Sequence, residues 1–332
     1  MPLHHYPDQQ QDAAAAAAAV PYRDDDDPPP SYTVIDNETP HNPFDMIMSG
    51  STLGLHPYKG SSNDNTVYYL DKRLDTDPEF LEQHVQDLAK EPPRPYVRIQ
   101  GLDRQTKKVD FDLHIELTPL LYQEMATRRS WRRLRAVNNF DKVRRGTTKA
   151  TRAPGFGGSG PPEEGIPDVA QWCHRYSGSR AGLKTFVLER RITGWDFALV
   201  GSRLESLVRA TNYNGQVNIT FPTTNARVEI FNRCVTNRWR LTRWIRLVFY
   251  LSLLWLFAWP WLSFRTRWFE TVYVEWHLSR PDRQGTLRYA CMSEDQWLRL
   301  WRRPIRQAVL ARRKGRLSQD YIDDAYGAPG QA

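Results

Sequence analysis

Cysteine is scarce in this chain: Cys173, Cys234 and Cys291 are its only three in 332 residues, and they lie far apart. An odd, scattered set excludes a disulfide framework, and without a C-x-x-C pair it excludes a cysteine zinc site as well. Most of the mass is therefore expected in a reducing compartment. The sequence also lacks a phosphate-cradling glycine loop, a nucleophile elbow and an H-E-x-x-H helix, so no catalytic motif announces an enzyme. Its first residues, with early His, Asp and Gln and then a run of alanines, lack the basic start and apolar core of a secretory signal. Insertion into a membrane is thus expected to depend on an internal segment. Long apolar runs are rare too, and one alone is long enough to matter.

That run, Leu247 to Phe264, is eighteen residues without a charge, and Trp244 with Ile245 brings it to the ~20 residues a spanning helix needs. Arg243 and Arg246 bound one end, Arg265 and Arg267 the other, and Trp244, Trp259 and Trp261 lie near the ends, where indole prefers the headgroup region. Only Tyr250, Ser252 and Ser263 interrupt the apolar surface, whereas a helix buried in a soluble core keeps a broader polar stripe. The predicted membrane residues are Trp244, Leu247, Phe249, Leu251, Leu253, Leu254, Trp255, Leu256, Phe257, Trp259, Trp261 and Phe264. One hydrophobic membrane helix over residues 244–264 is expected, either spanning the bilayer or re-entrant with a turn at Pro260. Six arginines within about twenty residues before the run and four after it favour a cytoplasmic main domain.

Charge divides the chain. Residues 1–55 carry nine acids and one base, Arg23, a net −8; the whole chain is +8, so the remainder is +16. With few large apolar residues, 1–55 is expected to be a disordered acidic tail. It contains Pro29-Pro30-Ser31-Tyr32, a P-P-x-Y sequence that suits the aromatic-lined groove of a WW domain, because consecutive prolines preform the extended helix such grooves take. The alternative is a chance four-residue match in a proline-rich tail that Asp24 to Asp27 only keep solvated. The basic body suits anionic partners, lipid headgroups ahead of nucleic acid, for which no reading motif is present.

Residues 56–235 read as an α+β domain built on a largely antiparallel sheet with flanking helices. Strands are predicted at Thr66–Leu70, Tyr96–Gln100, Val109–Leu117, Arg132–Val137 and Lys184–Arg190, with a hairpin pairing Gln216–Phe221 and Ala226–Phe231. Helices are predicted at Pro78–Lys90, Asp168–Tyr176 and Ser202–Ala210, and a glycine-rich loop at Thr151–Pro167. Residues 268–316 read as a second hairpin, Thr271–Leu278 with Thr286–Met292, and a basic amphipathic helix opened by a Ser293/Gln296 capping box. That helix carries Trp297, Leu300, Trp301, Ile305 and Val309 on one side and arginines on the other, so it either lies on an anionic membrane or docks on the domain. Residues 317–332 form a tail.

Asp110, Asp112, His114 and Glu116 occupy every second position of one strand and share a face. Successive ligands there lie about 7 Å apart, too far for all to hold one small ion, so the face reads as a solvated one. Cys173 and His174 are adjacent, which rarely gives a thiolate its base. No cofactor, metal or catalytic residue is assigned. Cys234, ten residues before Trp244, is a candidate for palmitoylation.

Five blocks carry a resemblance: Tyr68-Tyr69-Leu70-Asp71-Lys72-Arg73-Leu74-Asp75, Pro92-Pro93-Arg94-Pro95-Tyr96-Val97-Arg98-Ile99, Trp172-Cys173-His174-Arg175-Tyr176, Thr211-Asn212-Tyr213-Asn214-Gly215 and Asn237-Arg238-Trp239-Arg240-Leu241-Thr242. Over roughly 65–315 the chain resembles an uncharacterised family of membrane proteins from filamentous fungi. The resemblance implies a membrane protein and supplies no functional residues. The expected function is that of a membrane-anchored, non-enzymatic interaction or adaptor protein; the alternative is an enzyme or lipid-binding domain working at the bilayer surface. The P-P-x-Y reading predicts that a peptide covering Asp24 to Asp36 binds members of a WW-domain panel in a fluorescence titration and that Tyr32→Ala abolishes binding. Binding that survives Tyr32→Ala would remove this partner.

Overall fold

The computed structural model describes residues 54–58, 65–138, 140–151 and 167–326, the side chains of 324–326 excepted. Nearly all of the acidic tail, including Pro29, Pro30 and Tyr32, and most of the glycine-rich loop lie outside the described residues. In chain order the main strands are β1 (Thr66–Tyr69), β2 (Arg94–Leu102), β3 (Val109–Glu116), β4 (Arg132–Ala136), β5 (Arg145–Thr147), β6 (Lys184–Thr193), β7 (Gln216–Thr220), β8 (Arg227–Phe231), β9 (Arg267–His277) and β10 (Lys314–Leu317). The helices are α1 (Lys72–Thr76), α2 (Pro78–Leu88), α3 (Val169–Ser177), α4 (Phe197–Arg209), α5 (Val235–Leu241), α6 (Arg243–Leu251), α7 (Trp255–Arg265), α8 (Glu294–Leu310) and α9 (Asp320–Tyr326).

Two mixed sheets result, where a largely antiparallel one was expected. The first has the order β1-β8-β6-β9-β4, with β5 also on β9. Its β1/β8 and β6/β9 pairs are parallel; β8/β6 and β9/β4 are antiparallel. The second places β7 beside β2, then β3, then β10, with β3/β10 parallel. The class is α+β, but both predicted hairpins re-pair. β7 joins β2 and β8 joins the other sheet, because the Pro222 carbonyl accepts from Tyr96 N at 2.9 Å and carries the chain along β2 instead of back on itself. β9 is an interior strand, with Val272, Tyr273, Val274 and Trp276 buried on both faces; only Ser279–Pro281 and Leu287–Tyr289 form a hairpin. Alternation along a strand reports which face is buried and is silent on the partner.

The single membrane helix is also corrected. Among the described residues no helix is long and apolar enough to cross a membrane. The apolar run is cut into α6 and α7 by the turn Ser252–Leu254. Ser252 Oγ bonds back to the Val248 carbonyl at 2.6 Å, and Leu253 adopts φ 57°, left-handed backbone that ends a right-handed helix.

Packing follows the amphipathic faces. Trp172, Cys173 and Tyr176 of α3 are buried against the first sheet, where the Tyr176 ring meets Phe186 and Phe269 edge-on at 5.6 and 5.4 Å. The capping box at Ser293 and Gln296 forms as expected, and α8 buries Trp297, Trp301, Ile305 and Val309. Its apolar face is therefore spent on the body, and its arginines form the outer side. Opposite Phe111, position 101 is glycine, because any Cβ there would collide with the Phe111 ring.

Three buried polar groups tie the layers. Arg190, its side chain fully buried, donates to Glu91, to the Leu88 carbonyl and to Asn225, each at 2.9 Å. Lys184 Nζ sits 2.8 Å from Asp75 and donates to the carbonyls of Tyr176, Ser177 and Ser179 at the end of α3. His84 on α2 lies edge-on to Tyr69 at 4.6 Å, and neither ring nitrogen has a hydrogen-bond partner among the described residues. Burial pulls its pKa from 6.5 down to about 4. The folded state therefore holds the ring neutral while the unfolded chain protonates it, so this stability is full above about pH 6.5 and is lost as pH falls toward 4. In urea titrations, the stability of wild type relative to His84→Leu should fall by roughly 2–3 kcal/mol between pH 7 and pH 4.5. An unchanged difference would refute the assignment.

Candidate membrane interface

The site begins with two strand ends. Phe231 closes β8 and pairs with Thr185 of β6; Trp268, the second residue of β9, pairs with the same Thr185 from the other side. The segment between them, including the whole apolar run, thus leaves and returns at one end of one sheet, through points about 10 Å apart. A buried amide relay holds its foot. Lys184 N donates to Asn232 Oδ1 at 3.0 Å, and Asn237 Nδ2 of α5 donates to the same oxygen at 2.7 Å. Asn232 Nδ2 in turn reaches the Gly182 carbonyl at 3.0 Å. Around this foot Arg240 lies over Phe231 at 5.0 Å, and Arg144 lies over Trp268 at 5.2 Å.

Beyond the foot the chain projects outward. No residue of α6 or α7 is buried. Trp244, Leu247, Leu251, Leu253, Leu254, Trp255, Leu256, Phe257, Trp259, Trp261 and Phe264 are all exposed, reaching 73% at Leu251 and 79% at Phe257; Phe249 is half-buried. Soluble monomers rarely expose apolar patches beyond a few hundred Å². Tyr250 and Trp255 stack across the turn, their ring centroids 6.5 Å apart. With 9 and 11 residues, the helices are about 14 and 17 Å long, each near half of the ~30 Å hydrocarbon core. Pro260 lies inside α7 and is not the turn. Arg238, Arg243, Arg246, Arg265 and Arg267 are exposed near the base, forming a cationic collar below an apolar projection.

Comparison with protein families, with curated proteins and with solved structures finds no match to this chain.

The other predicted chemical groups are engaged structurally. Asp112 accepts from Arg98 at 2.6 and 2.8 Å and from the His114 ring at 3.0 Å, and the Arg98 guanidinium holds its carboxyl below the usual range. Asp110 accepts from Tyr213 and Glu116 from Arg316, at 2.9 and 2.7 Å. The face is a ladder of cross-strand ion pairs, and no group of residues suited to a metal occurs among those described. Cys173 is buried, its thiol pushed up to about 12 by burial, and His174 is exposed beside it. Cys234 is half-buried at the start of α5, its Sγ accepting from Asn237 N. Sequence reasoning missed the Asn232–Asn237 relay, because neither residue stands out until the strand ends are seen to meet.

Asn237→Leu leaves Asn232 Oδ1 and its neighbours short of a buried donor. It should cost about 1–3 kcal/mol in urea unfolding and raise amide exchange first in α5. An unchanged exchange pattern would show that the relay does not hold the foot.

Proposed function

We propose that this protein is monotopic: its α+β body sits on one face of a membrane, held by the α6–α7 hairpin dipping into the near leaflet. The observation that carries this reading is the pairing of Phe231 and Trp268 with the two sides of Thr185, which returns both ends of the apolar segment to the same sheet. Half-bilayer helix lengths, the unburied apolar surface and the basic collar support it, since cations at the base complement anionic headgroups while Leu, Phe and Trp enter the acyl boundary. The greater number of arginines before the run supports a body facing the cytoplasm. We further propose an interaction or adaptor role, with the tail's P-P-x-Y sequence as the recruiting element.

The test is flotation of the full chain with phosphatidylcholine vesicles. Withdrawing a Leu or Phe side chain from water contributes about 1.5–3 kcal/mol, so Leu251→Asp with Phe257→Asp should reduce partitioning at least about a hundredfold. Both side chains are exposed, so the variant should keep the wild-type melting temperature. Wild type left at the bottom of the gradient, or a double variant that floats equally well, would overturn the proposal.

A further inference from the structure

Helix α5 carries its side chains the wrong way round for water. Asn237 and Leu241 are buried, while Val235 and Trp239 are 64% and 49% exposed. The two apolar residues are four apart with Arg238 beside them, so all three project from one side of the helix. Single exposed apolar residues are ordinary, but here a tryptophan is turned out where an asparagine is turned in. We propose that the outer side of α5 lies in the headgroup layer of the leaflet that the hairpin enters, with Val235 and Trp239 as interfacial anchors. The inference rests on the monotopic reading and adds a second element to the membrane contact. Three observations carry it.

The inverted orientation is held in place, so α5 does not roll over to hide its tryptophan. Asn237 Nδ2 donates to Asn232 Oδ1 at 2.7 Å and to the Asn232 carbonyl at 3.2 Å. Arg240, on the inner side, lies over the rings of Phe231 and Trp268 at 5.0 and 6.0 Å. Rolling the helix to bury Trp239 would break this relay and strand its buried partners.

Position is the second observation. Thr242 is the one residue between α5 and α6, and its extended backbone (φ −81°, ψ 118°) bends the chain there. Trp239 therefore stands within about one helical turn of the point where the hairpin starts, and exposed apolar surface resumes at Trp244. The bend itself is tied: Thr242 Oγ1 donates to the Arg238 carbonyl at 2.9 Å and lies 3.3 Å from the Tyr58 hydroxyl. Chemistry is the third. An indole, with an apolar body and one N–H, suits the zone where hydrocarbon meets headgroups. With only seven residues, α5 is far too short to cross a leaflet, and Val235 with Trp239 on one side suits a helix lying in the interface.

The experiment floats full-length wild type, Val235→Ser/Trp239→Ser and a control, Leu310→Ser, over a titration of phosphatidylcholine vesicles at physiological and high salt. Leu310 is 63% exposed at the end of α8 and leads into β10 of the second sheet, whereas the foot of the hairpin stands on the first. The α5 variant should partition roughly tenfold less than wild type at both salt concentrations, because the lost contact is apolar, and the control should match wild type. Trp239→Phe, which keeps an apolar ring, should retain most of the binding. Both α5 side chains are exposed, so the melting temperature should not move. An α5 variant that partitions as wild type does, a loss that vanishes at high salt, or an equal loss in the control would overturn the proposal. In mild detergent, a wild-type dimer that Val235→Ser/Trp239→Ser converts to a monomer would assign this face to a second copy of the chain and refute the lipid contact. Failure of the monotopic reading appears separately: wild type itself would stay at the bottom of the gradient, and the α5 contact would fall with it.

Discussion

Lys184 is a buried cation at the first position of β6, and it joins α1, α3 and the foot of α5 to the first sheet. Its ammonium meets Asp75 of α1 and the terminal carbonyls of α3, while its amide N–H feeds Asn232 and through it Asn237 of α5. Desolvating an ammonium is expensive, and removing one partner of such a buried pair costs about 3–5 kcal/mol. The energy is well placed. A point charge with several rotatable donors can satisfy diverging carbonyls at once, where a guanidinium would demand a planar arrangement. One residue thereby sets the height of α3 over the sheet and the point where the apolar segment departs.

The interior of the first sheet repeats this logic with Arg190. Its guanidinium satisfies the end of α2, Glu91 and the loop before β8, so the helix layer and the sheet cannot shear independently. Burial works against the charge on both partners: it lowers the Arg190 pKa and raises that of Glu91. Their mutual attraction offsets part of that penalty. Such pairs specify geometry more than they add stability. On the second sheet the polar face of β3 uses exposed pairs instead, where solvent screening leaves each worth little and the buried Phe111, Leu113 and Ile115 carry the packing.

Sequence patterning showed what is local. The longer strands and helices, the Ser293 cap and the apolar face of α8 follow from period and capping chemistry, which neighbouring residues encode; the short α1, α5, β5, β10 and α9 were not anticipated, α9 lying where a tail was expected. Pairing is not local: β7 and β8 look like a hairpin by alternation, yet they divide between two sheets. The break in the apolar run was equally hidden. Ser252, Leu253 and Leu254 carry none of the Gly, Pro or Asn signals that mark turns, and Leu253 enters a backbone region that leucine rarely adopts. Pro260, the residue that does look like a breaker, sits within α7.

The common pairing of Phe231 and Trp268 with Thr185 also has a mechanical meaning. An attachment that passes through two points about 10 Å apart is a post, not a plate. A post resists extraction, because pulling on it must unzip β8 or β9 from β6. It resists rocking and swivelling poorly, since its lever arm at the base spans only three strands. On the proposed monotopic arrangement, the body would be free to turn about the membrane normal, its tilt governed by how the arginines around the post settle among headgroups. On that same proposed arrangement, lipid composition would in that way set the attitude of the whole domain without altering a single contact inside it.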